Sequence, residues 1–139
     1  MPFLRLTLDR ELPAADRTRL AVVLTELTAA VLGKNYSLTA LAIDVVPASH
    51  WTIAAESLAE RRAASAHLDV KVTAGTNTAQ EKAAFIEGAH AALESVLGAL
   101  APATYIVIDE LPADAWGYSG RTQAVRRSLE ASARTAVAA

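Results

Sequence analysis

The sequence predicts an α+β fold in which two fused β-α-β units form a four-stranded mixed sheet with both helices on one face. Two observations lead to this class. A block of sequence occurs twice, and within each copy the hydrophobic pattern changes from strand to helix and back to strand. A β-α-β unit with a long helix normally joins parallel strands by a right-handed crossover. Two such units can share one sheet.

The repeated block is clearest at the end of each unit. Residues 43–51 read IDVVPASHW, and residues 108–116 read IDELPADAW. The shift that superposes these blocks also carries the VLG of residues 31–33 onto residues 96–98 without a gap. Two matches in one register indicate a duplicated unit. We therefore expect a single domain over residues 1–139, with repeats at about 2–51 and 67–116 and a tail at 121–139.

The first unit carries strand, helix and strand signals in that order. Residues 3–9 alternate in character as a strand does, but the alternation leaves open which side faces the helices. Pro13 suits a first helical turn, and Gly33 suits a helix stop. Residues 38–46 predict the second strand, which Pro47 ends. Between Pro13 and Gly33, apolar residues at helical spacing form one face of the predicted helix: Leu20, Leu24, Leu27 and Val31.

The second unit repeats these signals. Residues 68–73 and 104–110 predict strands, and residues 78–81 read TAQE, a capping box at a helix start. The connector at 52–66 predicts a short helix or a loop, and the tail predicts a terminal helix or a frayed segment. The predicted buried helix face comprises Phe85, Ala89, Leu93, Val96 and Leu97, with Gly98 as the stop.

Composition excludes several classes of protein. The chain is 53% hydrophobic with a formal net charge of −2, which is typical of a globular domain. With 13 basic and 15 acidic residues, we expect no nucleic-acid partner. The absence of cysteine excludes thiolate metal sites, and the histidines show no metal spacing. Without a membrane span or a secretory signal, we expect a cytoplasmic protein with no membrane partner.

The predicted fold leaves one face of the sheet uncovered. Because many residues of that face are apolar, we expect the protein to form oligomers.

Pro2 is the candidate catalytic residue. Removal of Met1 would give this proline a free secondary amine, and α-amino groups have an ordinary pKa of about 7.7–8. Burial or a nearby cation lowers that pKa further, because both disfavour the ammonium. A neutral amine near pH 7 can act as a general base. The alternative is an ordinary Met-Pro start, in which the Pro2 nitrogen remains an amide.

A strand that starts at Pro2 in a duplicated β-α-β chain resembles the tautomerase superfamily, which includes 4-oxalocrotonate tautomerase and macrophage migration inhibitory factor. The clearer part is EKAAFIEGAHAALESVLG at 81–98 with TYIVIDELPADAWGYSGRTQAVRR at 104–127. These stretches are similar to the helix, second strand and closing segment of 4-oxalocrotonate tautomerase. The first unit adds the LGK turn at 32–34 and the VVP strand end at 45–47. The resemblance implies a homotrimer without a cofactor, with Pro2 in each of three sites.

The resemblance also implies substrate-binding roles for Lys34, Tyr105, Trp116 and Tyr118. Lys34 would bind the anionic substrate and depress the pKa of Pro2, and Tyr105 would reach a neighbouring subunit's site. Trp116 would form an apolar wall, and Tyr118 would close the pocket. The alternatives are a lysine favoured by a helix C-terminus and aromatic residues that pack in the core or an interface. The repeat partners Trp51, for Trp116, and His67, for Pro2, are expected at no proline site.

The implied function is a keto-enol tautomerase, an isomerase that acts on a small 2-oxo acid or its enol. A carboxylate held by one lysine suggests a monoacid. The loop TAGTNT at 73–78 lacks the arginines of the decarboxylase and dehalogenase branches, and Asp114 is out of register with the dehalogenase acid. Those reactions are therefore disfavoured alternatives, beside a non-catalytic oligomeric ligand-binding module. A neighbouring chain could replace the arginines that the loop lacks. The candidates are Arg5, Arg61, Arg62 and Arg121.

Overall fold

The computed structural model describes residues 1–138. Its two longest core helices and four sheet strands follow the predicted order, and short hairpins lie after each unit. Two 3₁₀ turns cover Tyr36–Leu38 and Ala48–His50. The elements are β1 Phe3–Leu8, α1 Ala14–Ala30, β2 Ala40–Val45, β3 Thr52–Ile53, β4 Glu56–Ser57, α2 Leu58–Arg61, β5 Ala66–Thr73, α3 Ala79–Leu97, β6 Tyr105–Leu111, β7 Gly117–Tyr118, β8 Arg121–Thr122 and α4 Gln123–Ala138.

The main sheet has the strand order β2-β1-β5-β6. β1 runs parallel to β2, β5 runs parallel to β6, and the two central strands β1 and β5 are antiparallel. This arrangement confirms the predicted α+β class with a four-stranded mixed sheet. Both long helices contribute to one hydrophobic core with β1 and β5, so they cover the same face. Among the residues described, no helix is long and apolar enough to cross a membrane.

The structure decides which side of β1 faces the helices. Leu4, Leu6 and Leu8 are fully buried under α1 and α3, whereas Phe3 is exposed on the opposite face. That face is more polar than expected. It carries ion pairs between neighbouring strands, Arg5 Nε to Asp44 Oδ2 at 2.7 Å and Lys71 Nζ to Asp109 Oδ2 at 3.0 Å. An uncovered apolar sheet face is therefore not an argument for oligomerisation of this chain.

The signals at the helix ends fix the loops around α1 and α3. Thr78 and Glu81 form the predicted capping box, with the Glu81 carboxylate accepting a bond from the Thr78 amide at 2.8 Å. Gly33 has φ +65°, the left-handed conformation expected after a helix. It lets the Lys34 amide donate to the Thr28 carbonyl at 3.2 Å, so that the chain turns sharply after α1.

The repeat continues beyond the two tryptophans. Each is followed by a two-stranded hairpin and then by a helix, in the register that carries Trp51 onto Trp116. The Trp51 carbonyl accepts a bond from the Leu58 amide at 2.8 Å, and the Trp116 carbonyl accepts one from the Gln123 amide at 3.0 Å. The connector is therefore a hairpin with one helical turn. The tail is a helix of 16 residues, and Ala139 lies outside the described residues.

The first strands of the two units do not follow the register that relates the rest of the repeat, because they are shifted by one residue. Phe3 pairs with the first residue of β2, and His67 pairs with the first residue of β6. His67 therefore corresponds to Phe3, and the prediction that it corresponds to Pro2 is wrong. Ala66 takes that place. It is fully buried within the continuous chain and has no free amine.

Candidate active site

A cavity of about 260 Å³ lies beside the amino terminus. It is bounded by the terminus itself, the turn after α1, the hairpin residue Tyr118 and the first two turns of α4. The hairpin brings α4 back toward the start of β1, which is why distant parts of the sequence meet here. The lining residues are Met1, Asn35, Leu38, Tyr118, Gln123, Arg126, Arg127 and Glu130.

The terminal amine in this cavity is half-buried. Burial lowers the pKa of the Met1 amino group from its usual range, because the ammonium loses hydration, and the charge of Lys34 lowers that pKa further. Pro2, the next residue, is buried at the start of β1. These are the two effects that the sequence analysis expects at a proline base. They act at the site into which removal of Met1 would bring the Pro2 amine.

Lys34 lies between the terminus and the loop after β5. Its Nζ donates to Thr76 Oγ1 at 2.7 Å, and Thr76 Oγ1 donates to the Thr73 carbonyl at 2.6 Å. Burial is the main cause that lowers the pKa of Lys34. Glu81 opposes the shift, and Arg127 adds to it. The ammonium is therefore oriented by one hydrogen bond and belongs to a cluster of cations around the cavity.

Tyr118 lies in the cavity wall, where it supports an arginine. The guanidinium of Arg126 lies over the Tyr118 ring, with its carbon 3.6 Å from the ring centroid. Arg126 Nη2 also donates to the Tyr118 carbonyl at 2.9 Å. Among the described residues, two buried side-chain N–H groups have no hydrogen-bond partner, Arg126 Nε and Gln123 Nε2. Both residues also line the cavity.

Trp116 does not line this cavity, but hydrogen bonds connect it to Lys34. Its Nε1 donates to Thr73 Oγ1 at 3.1 Å, and Thr73 is joined to Lys34 through Thr76. Its repeat partner Trp51 borders a groove near His67, at the other end of the sheet. The two tryptophans thus occupy equivalent positions in the repeat, and Trp116 is the one connected to the amino-terminal site.

Tyr105 is not brought to the cavity by its own chain. It is the first residue of the edge strand β6 and pairs with His67, which pairs in turn with Thr7 near the end of β1. Pro2 lies at the other end of that strand. The Tyr105 side chain is 63% exposed. One chain therefore assembles Lys34 and Tyr118 around the terminus and leaves Tyr105 on the surface.

The arginines at the cavity are not those considered from the sequence. Arg5 is paired with Asp44 on the outer sheet face, and Arg61 Nε is paired with Glu56 Oε2 at 3.1 Å. Arg62 borders a separate groove, and Arg121 lies on the β7–β8 hairpin. The cavity instead contains Arg126 and Arg127, and its acidic residue is Glu130, not Asp114.

A signal for these arginines was present in the sequence. The pair Arg61-Arg62 recurs as Arg126-Arg127 in the register that carries Trp51 onto Trp116. Following the repeat past Trp116 would have placed both pairs on equivalent helices. The sequence would still not have shown which pair lies beside the chain terminus, because that depends on the direction in which the hairpin turns the helix.

Comparison with known proteins identifies a family. Residues 67–126 match the model of the family described as tautomerase enzyme. No curated protein sequence matches the chain. Among solved structures, native fused 4-OT is 25% identical, with a TM-score of 0.80 over 88% of this chain and 97% of that chain.

Two further solved structures share the fold. A fused 4-OT described as a wild-type symmetric trimer is 22% identical, with a TM-score of 0.78 over 89% of this chain and 98% of that chain. A macrophage migration inhibitory factor-like protein from Entamoeba histolytica is 19% identical, with a TM-score of 0.71 over 87% of this chain and 97% of that chain. The family match in the second unit and the fused fold across both units support membership of the tautomerase superfamily.

Proposed function

We propose that the protein is a cofactor-free keto-enol tautomerase that acts on a small 2-oxo acid or its enol. The base is the Pro2 amine, released by removal of Met1. One observation carries the proposal: the terminal amine is half-buried beside Lys34, and both features lower its pKa. A secondary amine in that environment loses its proton at a lower pH than an ordinary α-amino group does, and its neutral form can accept a proton from the substrate.

The reaction is a proton shift between oxygen and carbon. The Pro2 nitrogen takes the proton of the enol hydroxyl, the carbonyl double bond forms, and the neighbouring carbon takes a proton from the prolinium. No atom or electron is gained or lost, and the amine returns to its neutral form. Lys34 holds the substrate carboxylate. The cations around the cavity stabilise the negative charge that develops on the enol oxygen, which is often the largest catalytic effect.

The proposal includes a homotrimer in which Tyr105 of one chain completes a neighbour's site. Two observations support it. Tyr105 is exposed on the edge strand β6, away from its own cavity. The similar fused 4-OT is described as a symmetric trimer. In such an assembly, the phenol donates to the substrate oxygen opposite Lys34.

The test is the ketonisation of phenylenolpyruvate, followed by ultraviolet absorbance, for the wild type and Pro2→Ala. Intact mass must show removal of Met1 in both proteins, which a small second residue permits. We expect Pro2→Ala to lower kcat at least about 100-fold, the usual contribution of a positioned base. Pro13→Ala, at the exposed N-cap of α1, is the matched proline control and should keep the wild-type rate. A Pro2→Ala enzyme with full activity would contradict the mechanism.

A second candidate function is favoured by Glu130. The arginines and the acid that the sequence analysis did not find at the site are supplied by α4. Glu130 can accept a proton from water while the water oxygen bonds to the halogen-bearing carbon of an unsaturated acid. The protonated Pro2 amine, which burial and Lys34 disfavour, gives its proton to the neighbouring carbon, and the halohydrin then loses hydrogen halide to give an aldehyde. Chloride release from a 3-chloroacrylic acid, lost in Glu130→Gln, would support this reaction over tautomerisation.

A further inference from the structure

Gln123 and Arg126 hold the two buried N–H groups that lack a partner in the described part of the chain. An unpaired buried donor costs about 1–3 kcal/mol, and folded proteins leave few of them. Both residues lie on the first turn of α4 and line the cavity that contains the amino terminus. Two such donors, on residues that both line one cavity, point to a ligand that accepts their hydrogen bonds.

The side chain of Arg126 is held in place before any ligand binds. Its guanidinium stacks on the Tyr118 ring, and its Nη2 is bonded to the Tyr118 carbonyl. These contacts leave the Nε–H free. A guanidinium that is already oriented loses less conformational entropy when it forms a hydrogen bond with a carboxylate.

Cations from two parts of the chain lie near the terminus. Lys34 is close enough to the terminal amine to lower its pKa, and Arg126 and Arg127 stand on α4. Met1 is itself a lining residue, so its removal adds space next to the donors of α4. A substrate held at Lys34 by one carboxylate would extend past Pro2 toward this second group of donors.

The first unit provides an internal comparison. In the register of the repeat, Leu58 takes the place of Gln123, and Arg61 takes the place of Arg126. Leu58 has no amide, and the Nε of Arg61 is paired with Glu56 at 3.1 Å. The unpaired donors are therefore found on α4, the helix beside the chain terminus. The equivalent positions of the first unit do not have them.

We propose that Gln123 and Arg126 are specificity-determining residues that bind an acceptor oxygen on the substrate, at the end remote from Lys34. This inference rests on the proposed function of the same site. It replaces the expectation of a monoacid with a preference for a 2-oxo acid that carries a second carboxylate. It also makes α4 part of the substrate site.

The test uses isothermal titration of two 2-oxo acids of equal chain length, the diacid 2-oxoglutarate and the monoacid 2-oxopentanoate. On wild-type protein with Met1 removed, we expect 2-oxoglutarate to bind at least about tenfold more tightly, as a hydrogen bond to a charged group allows. Arg126→Ala should remove this preference while 2-oxopentanoate binds within twofold of wild type. Gln123→Leu, which copies the first unit, should reduce it in part.

Arg61→Ala is the matched control and should leave both affinities unchanged. If Arg126 had a purely structural role, Arg126→Ala would weaken the binding of both ligands equally, and that result would overturn the proposal. A wild-type protein that binds both ligands with equal affinity would also overturn it. Arg126→Lys keeps the charge, loses the Nε–H and should show an intermediate preference. The same titrations on Pro2→Ala separate this proposal from the catalytic one, because ligand preference does not require the proline base.

Discussion

The guanidinium of Arg126 lies 3.6 Å from the centre of the Tyr118 ring, and this contact connects the hairpin after β6 to the helix beside the amino terminus. Tyr118 lies on the hairpin after Trp116, and Arg126 lies on α4. Both residues line the cavity that contains Met1. Tyr118 was expected to close the pocket. In the structure its ring and its carbonyl both support an arginine.

The first prediction concerns this support. Tyr118→Phe keeps the ring and the backbone carbonyl, so kcat/KM should stay within about twofold of wild type. Tyr118→Leu removes the ring, and the loss of a cation–π contact worth about 0.5–2 kcal/mol should lower kcat/KM several-fold for an enol substrate that carries a second carboxylate. Steady-state kinetics on both variants are the measurement. Equal losses in the two variants would mean that the hydroxyl acts directly on the substrate.

The pH profile of kcat/KM should be bell-shaped. Catalysis needs a neutral Pro2 amine, so the rate should rise with pH through a pKa that lies below the usual range of an α-amino group. It also needs a protonated Lys34, so the rate should fall as pH passes the pKa of that lysine, which burial lowers. Lys34→Arg should move the alkaline limb upward, because a guanidinium stays protonated to about pH 12. An unmoved limb would exclude Lys34 as its cause.

The two tryptophans provide a matched pair of variants. Trp116→Phe removes the hydrogen bond to Thr73, which should cost about 0.5–1.5 kcal/mol in the free energy of unfolding, and should also reduce kcat/KM. Trp51→Phe changes the equivalent position away from the terminus and should leave kcat/KM unchanged. Denaturant unfolding and kinetics measure both effects. If Trp51→Phe reduced activity as much as Trp116→Phe, the connection through Thr73 would not be specific to the site.

Truncation separates the two ends of α4. No residue of this helix is buried, so deletion of residues 123–139 should leave the main fold intact by circular dichroism. It removes the lining residues of α4 and should lower kcat/KM by at least about tenfold. Deletion of residues 131–139 keeps them and serves as the control. A shorter enzyme without residues 123–139 that retains full activity would show that α4 lies outside the site.

Subunit complementation tests the role of Tyr105. Because its side chain is largely exposed, Tyr105→Phe should change the free energy of unfolding by less than about 0.5 kcal/mol. Its kcat should nevertheless fall, because the phenol serves a neighbour. Unfolding and refolding a mixture of Tyr105→Phe and Pro2→Ala chains should restore activity, since some sites then combine an intact proline with an intact tyrosine. A mixture as inactive as its parents would contradict a shared site.

The parts of the fold that depend on local chemistry could be predicted from the sequence. The left-handed stop at Gly33 and the capping box of Thr78 and Glu81 depend on neighbouring residues only. The polar outer face could not be predicted, because the pairing of Arg5 with Asp44 depends on the register between two strands that are distant in sequence. For the same reason, only part of the site could be predicted from the sequence. The sequence indicated the amine and Lys34, whereas Arg126 lines the same cavity as Met1 because of the direction in which the hairpin turns α4.

The proline base is tested most directly by titration of the Pro2 amine, followed by nuclear magnetic resonance on protein labelled with ¹⁵N-proline. A proline base requires removal of Met1, a pKa below the ordinary value of about 7.7–8, and a rise in that pKa in Lys34→Ala. An amine that titrates at or above the ordinary value and does not respond to Lys34→Ala would contradict it. So would an active enzyme whose mass shows that Met1 is retained.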